Sequence, residues 1–230
     1  MKAFVLAGGL GTRLRPKFGE LPKPLAPIGG RPFLEHQIEW LRAHGVLRAV
    51  LCTGYGGESI REALGDGARL GVRLEYSVET EPLGTGGALR LARPLIDGPC
   101  WVLNGDTLPE GDPWRLERAR WLSGAVGAIA LYEVADARSR GRVECDAAGR
   151  VSRFVEKDAG FAGPAWVNGG LYAFSSSLWR HLADGGSSLE RDCLPSLAAD
   201  GRLIGVRLPG TFYDIGTPDE WERAERHFST

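Results

Sequence analysis

The first 110 residues alternate short apolar runs with segments of helical spacing, and this rhythm constrains the fold more than any other feature of the chain. "KAFVLAG" reads as a buried strand that runs into glycine. "RPFLEHQIEWLRAHG" sets Phe33, Leu34, Ile38, Trp40 and Leu41 near helical spacing, with Gly45 as the stop. "RAVLCTG" predicts a second strand, "GESIREALGDG" a short helix, and "VRLEYSVE" an alternating strand. "GTGGALRLARPLI" predicts a third helix and "CWVLNGD" a further strand. Strand and helix in this order imply parallel strands joined by crossover helices, a doubly wound α/β sheet.

The second half is less regular. "AVGAIALYEV" predicts a strand, and "GRVECDAAGRVSRFVEK" two strands joined by a turn from Asp146 to Gly149. "AWVNGGLYAFSSSLW" predicts a strand followed by a helix start, and "RLIGVRLPGTFYDIG" late strands. In "TPDEWERAERHF", Thr217 is placed as an N-cap, Pro218 as the first helical residue, and Glu220 at capping-box spacing. No Ser/Pro-rich linker or repeat divides the chain, which predicts a single domain over 1–230.

Charge and cysteine usage remove several function classes. Lys plus Arg is 28 and Asp plus Glu is 29, so the net charge is −1. Broad nucleic-acid or membrane-surface binding needs a basic excess that this chain lacks. Cys52, Cys100, Cys145 and Cys193 form no CxxC pair and have no histidine at finger spacing, which argues against zinc. No signal peptide is expected, no run approaches the roughly 20 apolar residues of a membrane span, and free thiols suit the cytoplasm. Oligomeric state is not written in the sequence, and a homodimer stays open.

The first strand ends in "LAGGLGTRLRP". Gly8, Gly9 and Gly11 let backbone amides point into a common concavity at a helix start, which suits an anion. A Walker A loop needs Gly-Lys-Ser/Thr, but Gly11 is followed by Thr12 and Arg13. A dinucleotide fingerprint needs a third glycine where Leu14 stands. A plain glycine turn with surface arginines is the competing reading. In "LPKPL", however, Lys23 is fixed between Pro22 and Pro24, a stiff mount that a solvated lysine does not need.

Together, "GGLGTRLRP" and "LPKPLAPIGGRPFLEHQIEWL" resemble the N-terminal signature of the sugar-1-phosphate nucleotidylyltransferases. Further matches are "EPLGTGGAL", "VLNGDT", "FVEK", "VNGGLY", "SLERD" and "YDIGTP", so the resemblance spans nearly the whole chain. It implies a Rossmann-like doubly wound mixed sheet, similar to the GT-A fold, with a small β subregion for the sugar. Residues 1–110 would serve mainly the nucleotide and 111–230 mainly the sugar phosphate.

By that resemblance the nucleotide meets Leu6, Ala7, Gly8, Gly9, Gly11, Thr12, Arg13, Lys23, Glu81, Gly86, Gly87 and Asp106. Catalysis falls to Arg13, Lys23 and Asp106. Arg13 offers a planar fork to the β- and γ-phosphates, and Lys23 a compact charge near the α-phosphate. Gly86 and Gly87 let a base lie against the backbone, while Glu81 touches the base or caps the loop. Asn104, Glu156, Lys157, Asn168, Gly169 and Glu190 are implied on the sugar-phosphate side. Asp106 and Asp214 are implied as ligands of Mg²⁺, and only the resemblance brings these two distant residues together. Unaided, each aspartate reads equally well as a turn residue, Asn168 as a turn residue, Glu190 as an exposed helix acid and Lys157 as half of a surface pair. Trp166 and Tyr172 read as core.

The base loop departs from the thymidylyl- and uridylyl-transferring branch, which carries glutamine there. The chain is most similar to small enzymes that join GTP to D-glycero-α-D-manno-heptose 1-phosphate for surface polysaccharide. Mannose-1-phosphate guanylyltransferases and N-acetylmuramate-1-phosphate uridylyltransferases share most of these motifs. Two other classes compete: a glycosyltransferase, against which the single aspartate of "NGDT" argues, and a non-catalytic sugar-nucleotide sensor.

Overall fold

Strand β1 (Lys2–Leu6) is apolar on both faces, and this sets the architecture. Ala3 and Val5 enter one core cluster with Leu34, Ile38 and Leu41. Phe4 enters another with Leu89 and Val102. A strand buried on both faces belongs inside a sheet covered by helices on both sides. In the computed structural model, which describes residues 1–138, 140–155 and 160–229, that is the observed layout.

The remaining strands are β2 (Pro27–Ile28), β3 (Arg31–Pro32), β4 (Arg48–Thr53), β5 (Arg73–Val78), β6 (Cys100–Asn104), β7 (Thr107–Pro109) and β8 (Gly127–Val134). They continue with β9 (Arg142–Cys145), β10 (Val151–Val155), β11 (Ala165–Phe174), β12 (Leu203–Arg207) and β13 (Phe212–Asp214). The helices are α1 (Arg15–Phe18), α2 (Phe33–Ala43), α3 (Gly57–Leu64), α4 (Gly84–Leu91), α5 (Trp114–Ser123), α6 (Leu194–Ala199) and α7 (Pro218–Phe228). As the periodicity predicts, α2 stops at Gly45, whose φ is 83° and whose amide donates to the Arg42 carbonyl at 2.9 Å.

Nine strands form one mixed sheet, ordered β10-β9-β11-β6-β1-β4-β5, with β8 on β11 and β12 on β8. β6, β1, β4 and β5 are parallel. β11 turns the sheet antiparallel against β6 and β8. Leu6 stands beside Cys52 on one side and Asn104 on the other, so the parallel strands finish level and their exit loops share one edge. β11 pairs with β9 at Val167 and with β6 from Leu171 onward. A bulge between Asn168 and Tyr172 makes that transfer, with Gly170 at φ 68°.

Two local expectations change. The helix start predicted after "YAFSSS" is only a short 3₁₀ turn, Leu178–His181. At α7, Thr217 Oγ1 accepts from the Glu220 amide at 3.4 Å, as an N-cap should. Glu220, however, does not complete a capping box. Its carboxylate takes the Thr217 hydroxyl at 3.1 Å and the Arg140 guanidinium.

Candidate active site

The site is built from the loops that leave the parallel strands. After β1, the Ala7 amide donates to the Cys52 carbonyl at 2.8 Å, which holds the loop's first residue to the sheet. Gly11 sits at φ 60°, and a Cβ there would come within 2.9 Å of Lys23 Cβ. Only glycine allows both the left-handed turn and the contact with the lysine mount. Lys23 opens a single 3₁₀ turn, Lys23–Leu25, with Pro22 and Pro24 buried around it. Its Nζ lies 2.5 Å from Asp106 Oδ2.

Asp106 occupies the turn between β6 and β7. Gln37, fully buried on α2, clamps that turn by donating from Nε2 to the carbonyls of Asn104 (2.8 Å) and Thr107 (2.7 Å). β13 pairs with β7 so that Asp214 stands opposite Thr107, and the Ile215 amide donates to the Asp106 carbonyl at 3.0 Å. This short ribbon brings Asp106 and Asp214 together. Burial raises the Asp214 carboxyl to about 6, and the charges of Asp106 and Glu220 push the same way against Lys23 and Arg140. Arg140 Nη1 lies 3.4 Å from Asp214, and its Nη2 bonds Glu220.

The paired carboxylates offer hard oxygen donors, and a cation between them would relieve the repulsion that raises Asp214. No cluster of three or more His, Cys, Asp or Glu residues suited to a metal occurs among the described residues. Two carboxylates fit a hard divalent ion that would leave its remaining positions to other oxygen ligands.

Two cavities flank this junction, of about 680 Å³ and about 720 Å³. Both are lined by Lys23, Asn104, Asp106 and Glu190. Asn104 Oδ1 is buried there without a partner. Glu190, in a π-helical turn (Leu189–Cys193), accepts from Thr85 Oγ1 at 2.6 Å.

Leu6, Ala7, Gly8, Gly9 and Glu81 line the first cavity, where the sequence predicts nucleotide contacts. Gly11 and Thr12 lie outside its lining. Arg13 lines the second cavity instead, exposed and with no ion pair or hydrogen bond to a described residue.

Gly86 and Gly87 do not face the first cavity. Both are buried, and their amides donate to the Ser187 carbonyl at 2.9 and 3.3 Å. A Cβ would come within 2.6 Å of Ser187 Oγ at Gly86 and 2.8 Å of the Gly185 carbonyl at Gly87. They are glycines so that α4 can pack against residues 185–187, while Gly84, Thr85 and Ala88 form the cavity wall.

Asn168 lines the second cavity, but much of its amide is engaged internally. Nδ2 donates to the Tyr172 hydroxyl at 2.7 Å, and Oδ1 accepts from the Gly170 amide at 2.9 Å. Tyr172 is core, as expected. Gly169 faces Tyr132, whose ring a Cβ would meet at 2.4 Å, and lines neither cavity. Glu156 and Lys157 lie outside the described residues.

The sequence reading misses Gln37, Glu79, Arg140 and Glu220. Gln37 sits unmarked inside a helical pattern. Arg140 is one of several arginines in "ARSRGR". Glu79 had a usable signal, an acid where a strand ends just before the "EPLG" loop.

A mixed α/β sheet with two cavities meeting beside Lys23 and Asp106 at its strand ends is an arrangement suited to holding two ligands side by side. The chain belongs to the nucleotidyl transferase family, whose model matches residues 2–230. It is 37% identical over 227 residues to a mannose-1-phosphate guanyltransferase of Emericella nidulans, covering 96% of this chain and 62% of that protein. It is 39% identical to a protein of Oryza sativa subsp. japonica named as a mannose-1-phosphate guanylyltransferase, covering 96% and 63%. The chain thus spans under two thirds of the length of these curated relatives. Crystal structures of HddC from Yersinia pseudotuberculosis superimpose with TM-scores of 0.84, and 0.82 for its complex with GMP-PN. Sequence identities are 32% and 30%, and 99% of each chain is covered in both cases.

Proposed function

We propose that this protein transfers GMP from GTP to a sugar 1-phosphate, D-glycero-α-D-manno-heptose 1-phosphate, releasing pyrophosphate and forming a GDP-sugar for surface polysaccharide. The observation that carries this reading is the junction. Two cavities, each large enough for one substrate, share Lys23, Asn104, Asp106 and Glu190. The HddC complex with GMP-PN supports guanylyl transfer, and the motif resemblance seen in the sequence favours heptose as the acceptor. The curated relatives favour a second reading, mannose 1-phosphate as the acceptor.

In the proposed reaction an oxygen of the sugar phosphate attacks the α-phosphorus in line. The new P–O bond forms as the bond to the bridging oxygen of pyrophosphate breaks. Positioning and charge neutralisation carry such a step. Lys23, held on its proline mount, places a positive charge at the α-phosphate. Arg13, exposed at the edge of the second cavity and unpaired among the described residues, offers its fork to β- and γ-phosphates that extend past the junction. Asn104, Asn168 and Glu190 meet sugar hydroxyls. Asp106 and Asp214 would hold Mg²⁺, which supplies further neutralisation of phosphate oxygens when bound.

The reaction belongs in the cytoplasm, where nucleoside triphosphates are made. All four cysteines are free thiols, and no helix among the described residues is long and apolar enough to cross a membrane.

The test is pyrophosphate release from the four ribonucleoside triphosphates and dTTP, each with heptose, mannose, glucose and N-acetylmuramate 1-phosphates. GTP with heptose 1-phosphate should turn over fastest. Mannose 1-phosphate outperforming heptose would establish the second reading. UTP with N-acetylmuramate 1-phosphate would replace both, and no release from any pair would leave a sugar-nucleotide sensor.

A further inference from the structure

We propose that Thr85 is the positioning residue for Glu190, its hydroxyl turning the Glu190 carboxylate so that one oxygen stays free for a hydroxyl of the sugar. This rests on the reading above in which Glu190 meets the sugar, and it names the residue that aims the acid.

Thr85 and Glu190 come from segments far apart in the chain. Thr85 lies in the first turn of α4 and lines the first cavity. Glu190 lies in the π-helical turn Leu189–Cys193 and lines both cavities. Backbone bonds lace the two segments together. The Ser187 amide donates to the Leu83 carbonyl at 2.9 Å, and the Gly86 amide donates back to the Ser187 carbonyl at 2.9 Å. Two residues further on, the Leu189 amide donates to Thr85 Oγ1 at 2.8 Å. Thr85 Oγ1 in turn donates to Glu190 Oε2 at 2.6 Å.

The direction of these bonds follows from the hydrogens available. A backbone amide only donates, so the Leu189 amide occupies a lone pair of Thr85 Oγ1. The hydroxyl's single hydrogen is then left for the carboxylate. Ser188 repeats the arrangement: its Oγ accepts from the Arg191 amide at 3.1 Å and donates to Glu190 Oε2 at 3.2 Å. Two hydroxyls, each oriented by a backbone amide, converge on the same carboxylate oxygen. Glu190 Oε1 makes no hydrogen bond to a described residue.

Of the two hydroxyls, Thr85 makes the shorter bond and is the one anchored on a different element, so it ties the acid to α4 rather than to its own turn. A glutamate side chain left to itself must give up rotamer freedom when a ligand orders it. Thr85 imposes that order before the ligand arrives. A carboxylate only accepts, a sugar offers hydroxyl donors, and a hydrogen bond weakens steeply as its angle departs from linear. Where Oε1 points therefore decides how well the sugar is held, although Thr85 need not touch it. π-Helical turns occur frequently at functional sites, and this one carries its free carboxylate oxygen to the junction of the two cavities.

The test uses the sugar 1-phosphate that gives the fastest pyrophosphate release. KM for it and for GTP are measured for wild type, Thr85→Val, Thr85→Ser, Glu190→Ala, and Thr85→Val combined with Glu190→Ala. Thr85→Val keeps the branched shape and removes the hydroxyl. Its KM for the sugar phosphate should rise about tenfold, the lower end of what a hydrogen bond to a charged group contributes. Its KM for GTP should stay within about twofold. Thr85→Ser, which brings the hydroxyl back, should restore the sugar-phosphate KM. In the Glu190→Ala background, Thr85→Val should add less than about twofold, because no carboxylate remains to be aimed. A tie that serves only to hold the loop would cost the same in both backgrounds and shift both constants. Equal shifts in the two KM values, a rise confined to GTP, or an undiminished Thr85→Val penalty without Glu190 overturns the proposal. If Thr85→Val does not fold, Thr85→Ala is judged by the same outcomes. A Glu190→Ala variant whose sugar-phosphate KM is unchanged strikes the assignment of Glu190 to the sugar itself, a result distinct from failure of the Thr85 variants alone.

Discussion

The two cavities are built by different means. The first is walled mainly by backbone and apolar groups at the ends of parallel strands, and glycine at 8 and 54 makes room where it is needed. The second is walled largely by side chains, several of them charged and paired with one another. Arg140 bridges Asp214 and Glu220, and Arg142 stacks on Phe161 with 3.7 Å between guanidinium carbon and ring centre. Main-chain walls are set by the fold and stay in place when empty. Ion-paired walls are held by contacts that an incoming phosphate can exchange. Substitutions around the first cavity should therefore act through shape and hydrogen-bond pattern, and those around the second through charge.

The largest effect should fall on the junction that both cavities share. Asp106→Asn keeps the side-chain volume and loses the charge facing Lys23 and Asp214. Pyrophosphate release should drop about a thousandfold, on the scale of losing a central transition-state electrostatic contact, with melting temperature little changed. Near-normal turnover in Mg²⁺ would remove Asp106 from the reaction centre. EDTA should likewise halt wild-type turnover and added Mg²⁺ restore it; activity indifferent to EDTA would take the metal out of the scheme.

Next comes Arg13, the loop cation with no ion-pair partner among the described residues. Arg13→Lys keeps the charge but loses the fork, so two phosphate oxygens can no longer be held in one plane. At about 1.5–3 kcal/mol for a charged hydrogen bond, kcat should fall roughly ten- to a hundredfold. A loss under a few-fold would make Arg13 peripheral, in keeping with its place on the second cavity.

What the sequence exposed and what it hid follow the same division. β1, α2 and the parallel order were readable because apolar period and glycine stops are local signals. The opening loop and Lys23 were readable because glycines and flanking prolines constrain nearby backbone. The Asp106–Asp214 approach was not, since it depends on pairing β7 with β13 across the chain. Arg140 and Glu220 were hidden for the same reason, their roles being set by partners distant in sequence. Gly86 and Gly87 misled because a glycine reports only that something is close. Here the close neighbours are Ser187 for Gly86 and the Gly185 carbonyl for Gly87.

Arg140 tests the second half of the comparison. Arg140→Gln leaves Asp214 and Glu220 uncompensated beside an incoming phosphate. The KM for sugar phosphate should rise about five- to tenfold, a modest sum because water screens part of the field. The KM for GTP should stay within about twofold, since uniform binding is lost on one side only. Equal shifts in both constants would mean that the two cavities are not electrically separate.

The smallest catalytic effect, and the sharpest test of the first half, is expected from Gly86→Ala. Inside α4, alanine is favoured over glycine by about 1 kcal/mol on helix propensity. Against that, the new methyl would sit 2.6 Å from Ser187 Oγ and 3.2 Å from its carbonyl oxygen. The hydroxyl can rotate away, but the carbonyl is held by the Gly86 amide at 2.9 Å. Overpacking of this kind costs about 1–3 kcal/mol, so the net change should be a destabilisation of about 1 kcal/mol, read as a lower denaturation midpoint. Nucleotide preference should not move, because the methyl points into the protein and away from the cavity. A variant that keeps its stability but changes its choice between GTP and other triphosphates would show that this glycine touches the base after all. The backbone-walled cavity would then extend one helical turn further along α4 than its empty shape indicates.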